Sequence, residues 1–246
     1  GYIFEDLDIT LSPNGVNVVF ERDRSIEKKH ILIFDHNIPT VDQDAGSRCI
    51  SNFIDCFIAL DFMVTFIASN PHHDIVYRKM FQEKGVNVLY GDEYEFWNER
   101  YLWFLREHLD HFDMVLCSRS SVCINPLIFL RNNQFEGKIL YFGHDLGYLR
   151  LEQEFKLKND LSISLAAMRS KADEDFMYKN VDVPLVCSNN EVEYLLSHKI
   201  NATYIPPYFF EVDREIPDFG NRVGLMFVGG FQHTPNQDAI RWFVEE

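Results

Sequence analysis

The chain has 246 residues, 46% of them hydrophobic, and carries 38 acidic against 23 basic side chains for a net charge of −15. That length and apolar content suffice for one large or two small domains with a sizeable core. The acidic balance argues against nucleic acid as the main partner, because phosphate neutralisation needs clustered Lys and Arg, although it leaves room for a local basic pocket.

No apolar run approaches the ~20 residues of a membrane span, and the N-terminus has no signal-peptide pattern. Gly1 in place of a methionine points to a piece of a longer chain. The cysteines at 49, 56, 117, 123 and 187 show neither close pairing nor zinc spacing. They read as reduced structural thiols in a cytoplasmic protein.

Residues 1–29 form a leading segment. A turn signal, Ser12-Pro13-Asn14-Gly15, precedes the alternating Val16–Phe20, which suits a hairpin or the tail of a preceding module, and the charged Glu21–Lys29 reads as a linker. From His30 strands and helices alternate. HILIFD (His30–Asp35) is a buried strand and Ile38–Gly46 a loop. Ser47–Leu60 is a helix with an apolar stripe through Cys49, Ile50, Phe53, Ile54, Phe57 and Ile58.

Met63–Ala68 is the next strand, and His73–Lys84 a helix stopped by Gly85. Val86–Tyr90 is a strand, Glu93–His111 an aromatic-rich helix, Met114–Ser118 a strand and Ile124–Asn132 a helix. Lys138–Phe142 is a strand, Leu151–Tyr178 one long charged helical region, Pro184–Ser188 a strand, Glu191–His198 a helix and Ala202–Ile205 a short strand. This alternation predicts an α/β fold: a Rossmann-like parallel sheet with helices on both faces, filling residues 30–208.

Polar residues 209–222 read as an interdomain linker. Residues 223–246 read as the first strand and helix of a second Rossmann domain that the chain does not complete. Gly224–Val228 is its buried strand and Gly229-Gly230 the turn. Thr234 is the N-cap, with Pro235 at the first helical position and Gln237 completing a capping box. A glycine turn leading into a helix N-terminus suits a phosphate.

In open parallel sheets ligands bind beyond the carboxyl ends of strands. After the first strand, residues 35–48 form a long acidic loop without GxGxxG or GxxxxGK[ST], which argues against a dinucleotide dehydrogenase and a P-loop. Asp42 and Asp44 are spaced like the paired aspartates of phosphotransfer enzymes, but Asp42 lies seven residues past Asp35, too far for that chemistry. The loop is either a ligand-facing segment or a solvated one in which Asp44 or Ser47 caps the helix. Gly143-His144-Asp145-Leu146-Gly147-Tyr148-Leu149-Arg150 follows another strand. His, Asp and Arg together can hold a diphosphate or sugar hydroxyls, the alternative being a capping Asp145 and a satisfied histidine. Arg119 either reaches the same cleft or pairs with an acidic neighbour. Ser188-Asn189-Asn190-Glu191 reads as a capping box, the Tyr94–Phe104 aromatics as core or interface, and the Glu152–Lys179 stretch as a solvated face.

Three patches carry a family resemblance. They are Pro39-Thr40-x-Asp42-x-Asp44-x-Gly46-Ser47-Arg48, then Asp145-Leu146-x-Tyr148-Leu149-Arg150, and third Phe227-Val228-Gly229-Gly230-Phe231-x-His233-x-Pro235-Asn236-x-Asp238-Ala239-x-x-Trp242-Phe243. The third is the most specific. Together they make residues 30–246 resemble retaining GT-B glycosyltransferases of family four, of the bacterial polysaccharide-biosynthesis type.

The resemblance implies two Rossmann domains with the active site between them, the N-terminal one receiving the acceptor. A Glu-x7-Glu signature on the donor would lie beyond Glu246. It implies front-side displacement with retention, and neither cofactor nor metal, with a nucleotide sugar as substrate. His144 and Arg150 are the implied catalytic residues. Asp42, Asp44, Gly46, Ser47, Arg48, Arg119, Asp145, Tyr148, Gly229, Gly230, His233 and Asn236 are the implied substrate and donor-phosphate contacts.

The expected partners are a nucleotide-sugar donor and a glycan or lipid-linked acceptor. Peripheral membrane contact and self-association through the C-terminal helix are compatible with the sequence. The piece alone is expected to be inactive. The competing readings are a non-catalytic sugar- or partner-binding module and a nucleotide-sugar epimerase on the same fold.

Overall fold

The computed structural model describes residues 28–70, 75–90, 101–208, 218–231 and 234–245. The expected hairpin in the leading segment, the start of the aromatic helix, most of the linker and His233 lie outside them.

The elements run β1 (His30–Asp35), α1 (Ala45–Ala59), β2 (Met63–Ala68), α2 (Ile75–Glu83), β3 (Asn87–Leu89), α3 (Tyr101–His108), β4 (Met114–Ser118) and α4 (Ser120–Asn132). They continue with β5 (Lys138–Phe142), α5 (Gly147–Lys158), α6 (Leu161–Asn180), β6 (Val183–Val186), α7 (Asn189–Ser197), β7 (Thr203–Tyr204) and α8 (Thr234–Glu245). The strands form one seven-stranded sheet in the order β3-β2-β1-β4-β5-β6-β7, and every pairing is parallel. This is the α/β, doubly wound architecture that the alternation predicts.

The strands read as unbroken apolar runs because both sheet faces are covered. In β1, Leu32 and Phe34 enter one core with Leu105, Leu127, Met177 and Leu195 from α3, α4, α6 and α7. Ile31 and Ile33 enter the other with Ile50, Ile54 and Phe81 from α1 and α2. The period of two sorts one strand between two cores.

Chain order reverses between β1 and β4, since β2 and β3 lie on one side of β1 and all later strands on the other. Such a reversal leaves a crevice at the carboxyl ends, where connections diverge to opposite faces. The register pairs Phe34 with Cys117 and Ser118 with Phe142, so Asp35, Ser118 and Phe142 end level beside it.

Two expectations need correction. The region Leu151–Tyr178 is two helices, α5 and α6, not one. Asn159 ends α5 in the left-handed conformation at φ 51°, and Asp160 starts α6 by accepting from the Ser162 N–H. An Asn C-cap beside an Asp N-cap outweighs helical propensity on either side. Gly224–Val228 forms no strand: Val223, Leu225, Met226 and Val228 are exposed. A parallel strand needs neighbours to bond its backbone, and this run pairs with none among the described residues. The helix behind it forms as expected. Its Gln237 amide donates to the Phe231 carbonyl, and the Thr234 side chain of the expected capping box lies outside the described residues.

Candidate functional site

A cluster of polar side chains occupies the crevice. Asp35 ends the apolar β1 and is buried. Its Oδ1 accepts from Ser118 Oγ at 3.0 Å, from Arg119 Nε at 2.8 Å and from the His36 N–H at 2.7 Å. On its other side Ser118 Oγ meets His144 Nε2 at 2.9 Å. With the serine proton directed at the carboxylate, Nε2 carries the imidazole proton and Nδ1 is the bare nitrogen.

Residues just past β4 and β5 are held in conformations that side chains rarely adopt. Arg119 has φ 69°, and His144, two residues past β5, has φ 68°. Such strain persists where surroundings over-determine it. Here the Arg119 N–H donates to the Phe142 carbonyl at 3.2 Å, the His144 ring packs on Phe142, and the Cys187 thiol donates to the His144 carbonyl at 2.9 Å.

Burial first, then the Arg119 charge, pushes His144 down to about 3, with Asp44 opposing; the imidazole is neutral at neutral pH. Burial raises the Asp35 carboxyl, opposed by Arg119, the His36 N–H and Ser118.

The β1–α1 loop closes on the cluster. Asp44 caps α1 by accepting from the Ser47 N–H at 2.8 Å and Ser47 Oγ at 2.6 Å, and Thr40 Oγ1 adds a bond at 3.1 Å. Partial burial works against its charge, but the two Ser47 bonds and Thr40 hold the carboxyl below its ordinary value. A Cβ on Gly46 would lie 2.7 Å from Arg119 Nη2 and 3.4 Å from His144 Cε1. The missing side chain is what lets the α1 N-terminus approach both groups.

The order of groups limits the chemistry. Ser118 is buried and sits between the carboxylate and the imidazole. A nucleophilic triad places the imidazole in the middle, so that it takes the hydroxyl proton. Ser118 is therefore a relay of orientation between Asp35 and His144, and not a nucleophile. Among the described residues no group of three or more His, Cys, Asp or Glu side chains is gathered as a metal site.

Of the expected site residues, the cluster unites Asp44, Gly46, Ser47, Arg119 and His144, and Arg119 both pairs with an acid and reaches the crevice. Others point elsewhere. Asp42 accepts from the Tyr77 hydroxyl of α2, and Arg48 is exposed on α1. Asp145 and Arg150 form an exposed pair at 3.4 Å, outside the buried network. Tyr148 is buried, with its hydroxyl donating to Tyr194. Gly229 and Gly230 form the turn before α8, where Asn236 Nδ2 donates to the Gly230 carbonyl at 3.0 Å. Ser188 and Glu191 cap α7 as expected, with the Glu191 N–H donating to Ser188 Oγ at 3.2 Å.

Two carboxylates escaped the sequence reading. Asp35 had a signal: it is the only charge in HILIFD, at the strand's carboxyl end. Glu174 had a fainter one. It shares a helical face with Ala167, Met177 and Tyr178, all buried, inside a stretch that otherwise reads as solvated. Its Oε1 accepts from the Tyr148 N–H at 3.2 Å and Ser170 Oγ at 2.7 Å, anchoring the start of α5 behind the His144 loop. Its Oε2 is buried without a hydrogen-bond partner. Burial pushes this carboxyl up to about 7, against the Ser170 and Tyr148 bonds, with Asp145 and Asp175 adding to the rise.

The sequence matches no family model and no curated protein, so what stands established is an α/β fold with a polar cluster at its topological switch point.

Proposed function

We propose that the chain is the acceptor-side domain of a retaining sugar transferase that uses a nucleotide sugar to extend a bacterial surface glycan. The observation that carries this reading is the Asp35–Ser118–His144 network, with Arg119, under Gly46 at the reversal of strand order. It supports a ligand with hydroxyls more than a bare phosphate. Two carboxylates, Asp35 and Asp44, stand against the one guanidinium of Arg119, and His144 is neutral. The bare Nδ1 of a neutral imidazole accepts a hydroxyl proton in a hydrogen bond, and the buried network fixes the ring that offers it.

In front-side displacement the anomeric carbon–oxygen bond to the diphosphate breaks as the acceptor oxygen bonds the same face. The acceptor proton passes to the departing diphosphate. No strong base is needed, which agrees with a histidine pushed to about 3. The α1 N-terminus beside Gly46 offers partial positive charge to the departing group.

The experiment is incubation of the complete gene product with a panel of nucleotide sugars and glycan acceptors, following sugar transfer and release of nucleoside diphosphate. Donor conversion without acceptor would favour an epimerase, and no conversion of any donor would overturn the reading. A second reading, a non-catalytic glycan-binding module, draws on the same charge balance. It predicts glycan binding with no release of nucleoside diphosphate.

A further inference from the structure

The turn that carries His144 rests on a buried polar bed that the proposed chemistry leaves unused. Glycines bound the turn on both sides. A Cβ on Gly143 would lie 3.0 Å from the Tyr141 and Tyr178 hydroxyls, and one on Gly147 would lie 3.1 Å from Glu174 Oε1. A side chain at either position would have to displace its neighbours, so the bare backbone of the turn rests against β5 and α6. Beneath it the Tyr141 and Tyr178 rings meet edge to face, with centroids 5.0 Å apart.

Glu174 has the hydrogen bonds of a neutral acid. Its Oε1 accepts twice, from the Tyr148 N–H at 3.2 Å and Ser170 Oγ at 2.7 Å, as a carbonyl oxygen does. Its Oε2 has no partner among the described residues. Ionisation spreads the charge over both oxygens, and one of them would then be buried and charged with no donor. The site fits Glu174 with its proton and misfits it without.

The surroundings do little for the ionised form. Asp145 in the turn and Asp175 on α6 repel it. Lys171 of α6 sits over the Tyr148 ring at 4.5 Å and pairs with Asp175 at 3.5 Å, and Arg150 of α5 pairs with Asp145. Burial pushes up the phenols of Tyr141 on β5, Tyr148 on α5 and Tyr178 on α6, which stay protonated across neutral pH. Behind Tyr141 lie the thiols of Cys123 on α4 and Cys117 on β4, and Glu191 of α7 acts on Tyr178. The α5 N-terminus adds a partial positive charge but no second donor. Burial lifts the Glu174 carboxyl to about 7, so it changes charge where His144 does not.

We propose that Glu174 is a positioning residue for His144: its proton seats the 143–147 turn, and its ionisation shifts the turn and loosens the crevice. His144 is the residue that responds, because its φ of 68° persists only while its surroundings enforce it. The Cys187 thiol holds the His144 carbonyl on one side, and Glu174 holds the α5 end of the turn. The seating stands on these buried contacts alone. Its effect on rate rests on the proposed sugar transfer.

The test has two arms. In the first, backbone amide resonances of the labelled chain are followed without ligand from about pH 5.5 to about pH 8.5. Gly143, His144, Gly147 and Tyr148 should shift together with a midpoint of about 7. Glu174→Gln should leave all four still. Ser170→Ala removes a bond that opposes the rise and should move the midpoint up. A shift confined to Gly147 and Tyr148, or one that Glu174→Gln retains, overturns the proposal. If Glu174→Gln does not fold, an unmoved midpoint in Ser170→Ala overturns it instead.

In the second arm, kcat/KM for sugar transfer by the complete gene product is measured over the same range. It should fall about tenfold more in the wild type than in Glu174→Gln as pH rises. A merely structural role would lower the rate of the variant at every pH and leave the shape of the profile unchanged, and that result overturns the proposal. Titration of the Gly143 and His144 amides without sugar transfer at any pH would leave the positioning standing and sink the transferase reading.

Discussion

Replacing Glu174 with Gln should flatten a pH dependence that this one carboxyl builds into the fold. Glu174 is 4% exposed. Burial, against the opposing bonds from Ser170 and Tyr148, pushes its carboxyl from the ordinary 4.5 up to about 7. The folded state therefore holds the proton more tightly than the unfolded chain. The stability this gives is fully present below pH 4.5 and is lost as pH rises through 7. At about 1.4 kcal/mol per pH unit, the gap between the two values amounts to about 3 kcal/mol.

Gln keeps the acceptor that Ser170 and the Tyr148 N–H use and cannot ionise. Urea unfolding of both proteins from about pH 4 to about pH 9 gives the difference in stability as a function of pH, cancelling every other titration. The variant should gain about 3 kcal/mol on the wild type toward the alkaline end. A difference that stays flat, or one that grows toward acid, would refute the reasoning.

Arg119→Ala leaves the buried Asp35 carboxylate without its charge partner and should cost about 3–5 kcal/mol in chemical denaturation; a loss under about 1 kcal/mol would mean that the pair does not hold the crevice. Gly46→Ala adds a methyl 2.7 Å from Arg119 Nη2, the end of a side chain that can move. It should change stability by less than about 1 kcal/mol while weakening glycan or donor binding about tenfold in calorimetry, and unchanged binding would remove Gly46 from the site. His144 should show no imidazole titration by NMR across neutral pH. Because its folded value lies near 3 and its ordinary value at 6.5, the stability it contributes is present above 6.5 and lost as pH falls toward 3. An imidazole resonance that titrates with a midpoint near its ordinary value would refute its burial in the network.

The strands were legible in the sequence because a sheet covered on both faces demands continuous apolar runs, and HILIFD, MVTFIA and KILYF are such runs bounded by polar loops. The caps were legible for the same local reason: Asp44 and Ser188 meet backbone N–H groups within three residues. Strand order was not, because it depends on contacts between distant segments. Without it, the loops after β1, β4 and β5 were only three candidates among five.

The order brings Asp35 and Arg119 together across 84 positions. It leaves Arg150 in an exposed pair and Tyr148 in the core, although both sit in the patch that carries the resemblance. The break at Asn159-Asp160 was hidden because good helix formers flank it. The exposed Val223–Val228 run shows the limit of reading strands from composition: an apolar segment of strand length becomes a strand only where a neighbouring backbone accepts it.

The most direct test of the central account is sugar transfer by the complete gene product carrying His144→Ala, read as release of nucleoside diphosphate in the presence of acceptor. The account predicts a loss of about a hundredfold in rate, measured at a temperature where circular dichroism shows the variant still folded. Transfer at the wild-type rate without the imidazole would contradict it.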